Sequence, residues 1–171
     1  EKINDWSNKL IWGDNKYILS SIATGPLWDE IQSNGGIKLI YIDPPFDVGS
    51  DFSADLEIGK ENFQKKPNVL EEIAYRDTWG KGQDSFLSMI YERLILIRDI
   101  LNEEGLILLH CDYRLNSSIR LLMDEVFGKD NFRNEIYVKR KTKNIQSQFA
   151  KVNSLNIKFD SILFYSKNKN T

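Results

Sequence analysis

The apolar residues of this chain follow two different periods, and each predicts its own element. Ile37 to Ile42 is an almost continuous apolar run rich in β-branched residues. That is the pattern of a strand buried on both faces, as in a parallel sheet. It stops at Asp43-Pro44-Pro45 because proline cannot donate to a strand ladder. Leu10-Ile11-Trp12 reads as a shorter buried strand closed by Gly13-Asp14. Helical spacing follows through Ile18 and Ile22 and then, past Gly25-Pro26, through Leu27 and Ile31. Asn34-Gly35-Gly36 is a turn. The clearest helix spans Asp84 to Glu104. Asp84 or Ser85 caps it, Phe86, Ile90, Leu94, Ile97 and Leu101 line one face, and Gly105 stands just past its end. Leu106 to Leu109 is a second buried strand, ending at His110-Cys111-Asp112. Ser117 to Phe127 is a helix carrying Ile119, Leu122, Met123 and Val126, stopped by Gly128. Arg133 to Lys141 and Phe159 to Ser166 are two later strands, the second alternating through Ile162 and Phe164. Residues 47–81 keep no period and hold few large apolar side chains, so they are expected to form a long loop, mobile or partly disordered when nothing is bound.

Strands alternating with helices imply an α/β fold, with a mostly parallel sheet and right-handed crossovers. Ligands of such sheets sit beyond the carboxyl ends of the strands. Asp14, Asp43 and Asp112 are the polar residues expected there. The 171 residues make about one domain, with ordinary apolar (41%) and charged (28%) fractions. No apolar run approaches the ~20 residues of a membrane-spanning helix, and the polar start, Glu1 to Asn8, lacks a signal-peptide core. The single cysteine, Cys111, excludes an internal disulfide and suits a reducing cytoplasm. One cysteine and one histidine also exclude a multi-ligand Cys/His zinc site. No G-x-S-x-G elbow supports a serine hydrolase.

Net charge is −2, but it is unevenly spread. Residues 129–171 hold ten Lys or Arg against three acids, a net +7, whereas residues 47–80 carry a net −4. The C-terminal quarter is therefore the part suited to phosphate. Lys139, Arg140, Lys141 and Lys143 are its candidate contacts, with a solvated strand end as the plainer alternative.

The segment with the most chemical content is Asp43-Pro44-Pro45-Phe46. It sets a carboxylate at a strand end, then two rigid residues, then an aromatic ring. The prolines fix their own φ and restrict the residue before them. The Asp43 side chain and the Pro44 carbonyl are thus held in a set relation to the Phe46 ring. Two acceptors beside a flat apolar face make a receptor for a planar amine, such as a nucleobase with an exocyclic NH2.

Asp-Pro-Pro-Phe after a buried strand resembles the catalytic motif of the amino-group DNA methyltransferases. The run from Lys38 through Asp43-Pro-Pro-Phe-Asp-Val-Gly-Ser-Asp-Phe52 sharpens the resemblance to the β-class, adenine-specific enzymes like the type III modification (Mod) subunits. Tyr75-Arg-Asp-Thr-Trp79, His110-Cys-Asp112, Leu121-Leu-Met-Asp-Glu-Val-Phe-Gly128 and Asn131-Phe-Arg-Asn-Glu-Ile136 support it. The resemblance covers nearly the whole chain. It implies a Rossmann-like, S-adenosylmethionine-dependent methyltransferase fold with helices on both faces of the sheet. It also implies transfer of a methyl group from S-adenosylmethionine to adenine N6 in double-stranded DNA, within a restriction–modification system. Asp43, Pro44, Pro45 and Phe46 would be the catalytic group. Asp43 and the Pro44 carbonyl would accept the two N–H bonds, and Phe46 would stack on a base flipped out of the duplex. Stacking of that kind is worth ~1–3 kcal/mol per base. Asp43 would also border the cofactor's methyl end, and Asp14 would meet its adenine, unless Asp14 is simply a helix N-cap. For His110 and Asp112 the plainer reading is favoured, a satisfied strand-end histidine and a cap for the next helix. Tyr75, Asp77 and Trp79 either border the pocket or close the loop. Cys111 follows histidine rather than proline, so it lacks the Pro-Cys context of cytosine-C5 chemistry and reads as a small buried residue.

Relatives also carry a Phe-x-Gly-x-Gly cofactor loop that this chain lacks, and in the β class that loop lies C-terminal to the recognition region. The expectation is a single partial catalytic domain over residues 1–171. Alone it would be inactive, with apolar sheet edges exposed or covered by another copy in a homodimer. A restriction (Res) subunit is a further implied partner. The competing functions are cytosine-N4 methylation, whose motif more often begins with serine, and a non-catalytic DNA- or protein-binding fragment.

Overall fold

The computed structural model describes residues 8–44, 54–58, 61–65, 83–140 and 157–170. Among the described residues the α-helices and strands follow in the order α1 (Asn15–Thr24), α2 (Pro26–Ser33), β1 (Ile37–Ile42), β2 (Ala54–Ile58), β3 (Glu61–Lys65), α3 (Gln83–Ile100), β4 (Leu101–Cys111), α4 (Asn116–Phe127), β5 (Phe132–Lys139) and β6 (Phe159–Ser166). Among the described residues no helix is long and apolar enough to cross a membrane.

The main sheet has the order β1-β4-β6-β5. β1 and β4 are parallel, and β6 is antiparallel to both β4 and β5. Three of the four strands therefore run one way, as expected of a mostly parallel α/β sheet, and β6 is reversed between β4 and β5. The carboxyl ends of β1, β4 and β5 share one edge of the sheet with the amino end of β6. Asp43, His110, Arg140 and Asp160 all come from that edge.

The core lies on one face. Ile107, Leu109 and Cys111 of β4 and Leu163 and Tyr165 of β6 are fully buried against Phe86, Ile90, Leu94 and Ile97 of α3 and Ile119, Met123, Val126 and Phe127 of α4. Burying each large side chain contributes about 1.5–3 kcal/mol before entropy is counted. Along β4 the period-2 pattern leaves Leu106, Leu108 and His110 on the opposite face, only half-buried. Leu39, Tyr41, Ile136 and Val138 are exposed, and the strand register puts them on that same face. The arrangement is the α/β fold in incomplete form. β1 was expected to be buried on both sides, but it is an edge strand of the described sheet with one side open.

Gly25 and Pro26 divide α1 from α2 as the sequence implied, with proline at the first helical position, where its missing N–H costs nothing. Gly35 and Gly36 turn the chain into β1 at φ +89° and +75°, values that favour glycine. Three expectations change. Leu10-Ile11-Trp12 is not a strand. It has no strand partner among the described residues, and Leu10 and Trp12 are exposed, because a three-residue apolar run cannot hold extended structure without a ladder beside it. The long helix ends at Ile100, and Leu101 opens β4. The four residues Asn102–Gly105 bulge opposite Lys38, between the pairs Ile37–Leu101 and Leu39–Leu106. Gly105 thus lies inside a strand and not at a helix end. The segment 47–81 is not wholly a loop, since β2 and β3 pair antiparallel within it. Ala54, Leu56 and Ile58 alternate there with acids, a strand signal that the acidic composition obscured. The rest of that segment lies outside the described residues, and the mobility of 47–81 stays an expectation.

Candidate active site

Asp43 follows directly on β1, and the parallel register that pairs Ile42 with Leu109 sets it beside His110. Pro44 is buried while the Asp43 side chain is 55% exposed. The strand end is therefore anchored and its carboxylate is open to a ligand. The Nδ1 atom of His110 lies 3.0 Å from Asp43 Oδ1. On its other side the His110 Nε2 atom faces Asp160 Oδ2 at 3.8 Å. Asp160 is itself held by Arg140, whose Nε donates to Oδ2 at 2.7 Å and whose terminal nitrogen lies 2.5 Å from Oδ1. That hydrogen bond, with the Asp160 charge, holds the Arg140 guanidinium above its ordinary pKa against the opposing effect of burial. Burial, and then the Asp43 charge, push the Tyr41 phenol up, so Tyr41 stays neutral near pH 7.

Asp14 caps α1, its Oδ1 accepting from the Lys16 backbone N–H at 2.8 Å. Arg93 donates to the same oxygen at 3.3 Å. The plainer of its two sequence readings is therefore realised. Contacts from the described residues converge on Oδ1, which leaves Oδ2 for an amino donor. An apolar cavity of about 350 Å³ opens among Ile11, Tyr17, Ile18, Ile22 and Leu27, residues on either side of the Asp14 turn. Asp14 is not among the residues that line this cavity.

Asp112 has a structural role. Its side chain is fully buried, its Oδ1 accepts from the Arg114 backbone N–H at 3.0 Å, and its Oδ2 receives the Arg114 guanidinium. It makes the turn into α4, but that helix has no side-chain cap. Cys111 is buried and free, and its thiol is pushed up to about 12, first by burial and then by the Asp112 charge. It is inert at neutral pH.

Lys139 ends β5 with its side chain exposed, while Arg140 is committed to Asp160. Pro45, Phe46, Lys141, Lys143, Tyr75, Asp77 and Trp79 lie outside the described residues. Of the sequence candidates, the structure thus brings Asp43, His110 and Arg140 to one place. Asp160 was missed. Its signal was available, because it is the only acid after Glu135 in an otherwise basic tract and it opens an apolar strand.

Comparison with known proteins identifies the family. A family model described as DNA methylase (N6_N4_Mtase) matches residues 37–171. The type II methyltransferase M.EcaI of Enterobacter cloacae is 33% identical over 162 residues, covering 95% of this chain and 30% of that protein. The EcoP15I Mod subunit, a type III restriction–modification enzyme of Escherichia coli, is 28% identical over 168 residues, covering 94% of this chain and 24% of its own. This chain therefore spans less than a third of the length of those relatives. Among solved structures, the M1.HpyAVI–SAM complex aligns over 93% of this chain and 54% of its own, at 17% identity and a TM-score of 0.43.

Proposed function

The chain belongs to the DNA methylase family, and from that premise we propose that it is the catalytic portion of an adenine-N6 DNA methyltransferase of a restriction–modification system. One observation carries the reading. Asp43 stands at the carboxyl end of a parallel strand, half-exposed beside a buried proline, with one carboxylate oxygen 3.0 Å from His110 Nδ1. Its exposed side is available to an N–H donor.

The adenine amino group is a weak nucleophile because its lone pair is delocalised into the ring. Asp43 and the Pro44 carbonyl, accepting its two N–H bonds, let the nitrogen pyramidalise and direct its lone pair outward. Asp43 need not remove a proton first, because its charge stabilises the positive charge that develops on nitrogen during transfer. Holding the amino group in line supplies much of the remaining acceleration. S-adenosylmethionine, when bound, supplies an electrophilic methyl group on its sulfonium. Asp14, whose Oδ2 is left by its cap contacts, is assigned to the amino group at the adenine end of that molecule. Phe46 is assigned the stacking face for the flipped base, and Lys139, Lys141 and Lys143 are assigned phosphate contacts. Partners on this reading are double-stranded DNA and a restriction subunit. The 171-residue chain alone is expected to lack transfer activity, because a methyl donor that is not firmly held forfeits the proximity gain.

The test is product identity. DNA incubated with the intact protein and S-adenosylmethionine is digested to nucleosides and analysed by mass spectrometry. N6-methyladenine is the expected product. N4-methylcytosine would overturn the adenine assignment, and no methylated base would favour a non-catalytic binding module.

A further inference from the structure

We propose that His110 is a positioning residue for Asp43, braced from behind by Asp160 and Arg140, and that this four-residue line sets the carboxylate angle on which transfer depends. The inference rests on the reading of Asp43 given above and names what holds it.

The line follows the sheet. Asp43 comes from the end of β1, His110 from β4, Asp160 from β6 and Arg140 from the end of β5, which is the strand order of the sheet itself. Neighbouring members are in reach at each step: 3.0 Å from Asp43 to His110, 3.8 Å from His110 to Asp160, and 2.5 Å and 2.7 Å from Asp160 to Arg140. The two middle members are the most buried, with His110 17% and Asp160 11% exposed against 55% for Asp43 and 41% for Arg140. An exposed aspartate at the end of a strand would otherwise sample several rotamers. A rigid, mostly buried imidazole removes that freedom at one oxygen.

The charges explain which way the imidazole acts. Asp160 already accepts from Arg140 Nε at 2.7 Å, with a terminal nitrogen of the same guanidinium close to its other oxygen. It also lies farther from the imidazole, its Oδ2 3.8 Å from His110 Nε2. Asp43 is the nearer carboxylate, its Oδ1 3.0 Å from Nδ1, and on this proposal it is the group that the imidazole restrains. Arg140 then has a role apart from phosphate contact, since its guanidinium sets the charge behind the histidine.

The test uses the intact protein with S-adenosylmethionine and a duplex substrate. His110→Leu removes the donor and keeps an apolar side chain of similar bulk, and His110→Asn restores an N–H close to the Nδ1 position. The expected result is a fall in kcat of about 10–100-fold for leucine, the loss that a misplaced group produces. KM for DNA and cofactor affinity should stay within a few-fold, and asparagine should recover most of the rate. Adding His110→Leu to Asp43→Ala should cost nothing further. Unchanged kcat in His110→Leu, or equal losses for leucine and asparagine, would overturn the proposal. Should the leucine variant fail to fold, His110→Gln takes its place, because its amide reaches toward Nε2. Glutamine matching asparagine would then overturn it. Retained activity in Asp43→Ala would instead refute the underlying reading of Asp43, so the two failures are distinguishable.

Discussion

Replacing Gly105 by alanine forces a methyl group into the bulge that joins α3 to β4. The added Cβ would lie 2.5 Å from Leu101 Cγ and 2.7 Å from the Asn102 carbonyl oxygen, where ordinary contacts are ~3.5–4.0 Å. Neither neighbour can give way easily. Leu101 is 2% exposed in the core. The Asn102 side chain donates to the Gly35 carbonyl at 2.8 Å and accepts from the Glu104 N–H at 2.8 Å. Gly105 itself is tied to β6 through the Lys167 N–H at 2.8 Å. Overpacking of this kind costs ~1–3 kcal/mol. Alanine also restricts the unfolded chain, which offsets ~0.4–1 kcal/mol. The net expectation is a loss of about 1–2 kcal/mol, or a Tm lower by about 2–8 °C for a domain of this size. Urea unfolding followed by far-UV circular dichroism measures it. Gly105→Asn separates close packing from a helix-end role. Asparagine tolerates the left-handed conformation of a helix C-terminus, but Gly105 does not have a positive φ. Asparagine should therefore be worse than alanine. An alanine variant as stable as the parent, or an asparagine variant more stable than alanine, would refute the packing argument.

Two further outcomes follow from charge and burial. Burial works to raise the Glu135 carboxyl, but hydrogen bonds from Ser161 and Asn116 outweigh it and hold the group below its ordinary 4.5. Its contribution to stability is therefore full above pH 4.5 and is lost as pH falls through the lower folded value. Glu135→Gln should flatten the acid limb of a Tm-against-pH curve below pH 4.5, and an unchanged limb would contradict this. Cys111, with its thiol pushed up to about 12 by burial and then by Asp112, should resist iodoacetamide at pH 8 in the native protein and react after unfolding; rapid native labelling would contradict its placement.

Where local pattern and tertiary structure agreed, the elements were legible before the fold. β1 was marked by Ile37, Ile40 and Ile42 and closed by Pro44, and the α1–α2 break was marked by Gly25-Pro26. α4 was marked by Ile119, Met123 and Val126 with Gly128 behind them. The α3–β4 junction was not legible, because Leu101 continues the i, i+4 spacing from Ile97 and Gly105 imitates a helix stop. Only the pairing of Ile37 with Leu101 shows that the strand has already begun. Asp43 was identified from its proline neighbours. The partnership of Asp43 with His110 was not, because the two are far apart in sequence and meet only through the β1–β4 register. Asp160 and Arg140 join them only once β6 is reversed between β4 and β5, a topology that no local period encodes.

The most direct test of the central claim is a single-turnover measurement of methyl transfer by Asp43→Ala, with labelled S-adenosylmethionine and duplex DNA in the intact protein. Because the proposed role of Asp43 is to act on charge that develops during transfer, its loss belongs in the chemical step. The account predicts a rate lower by on the order of 10²–10³-fold, with cofactor affinity little changed. A single-turnover rate within a few-fold of the parent would contradict it.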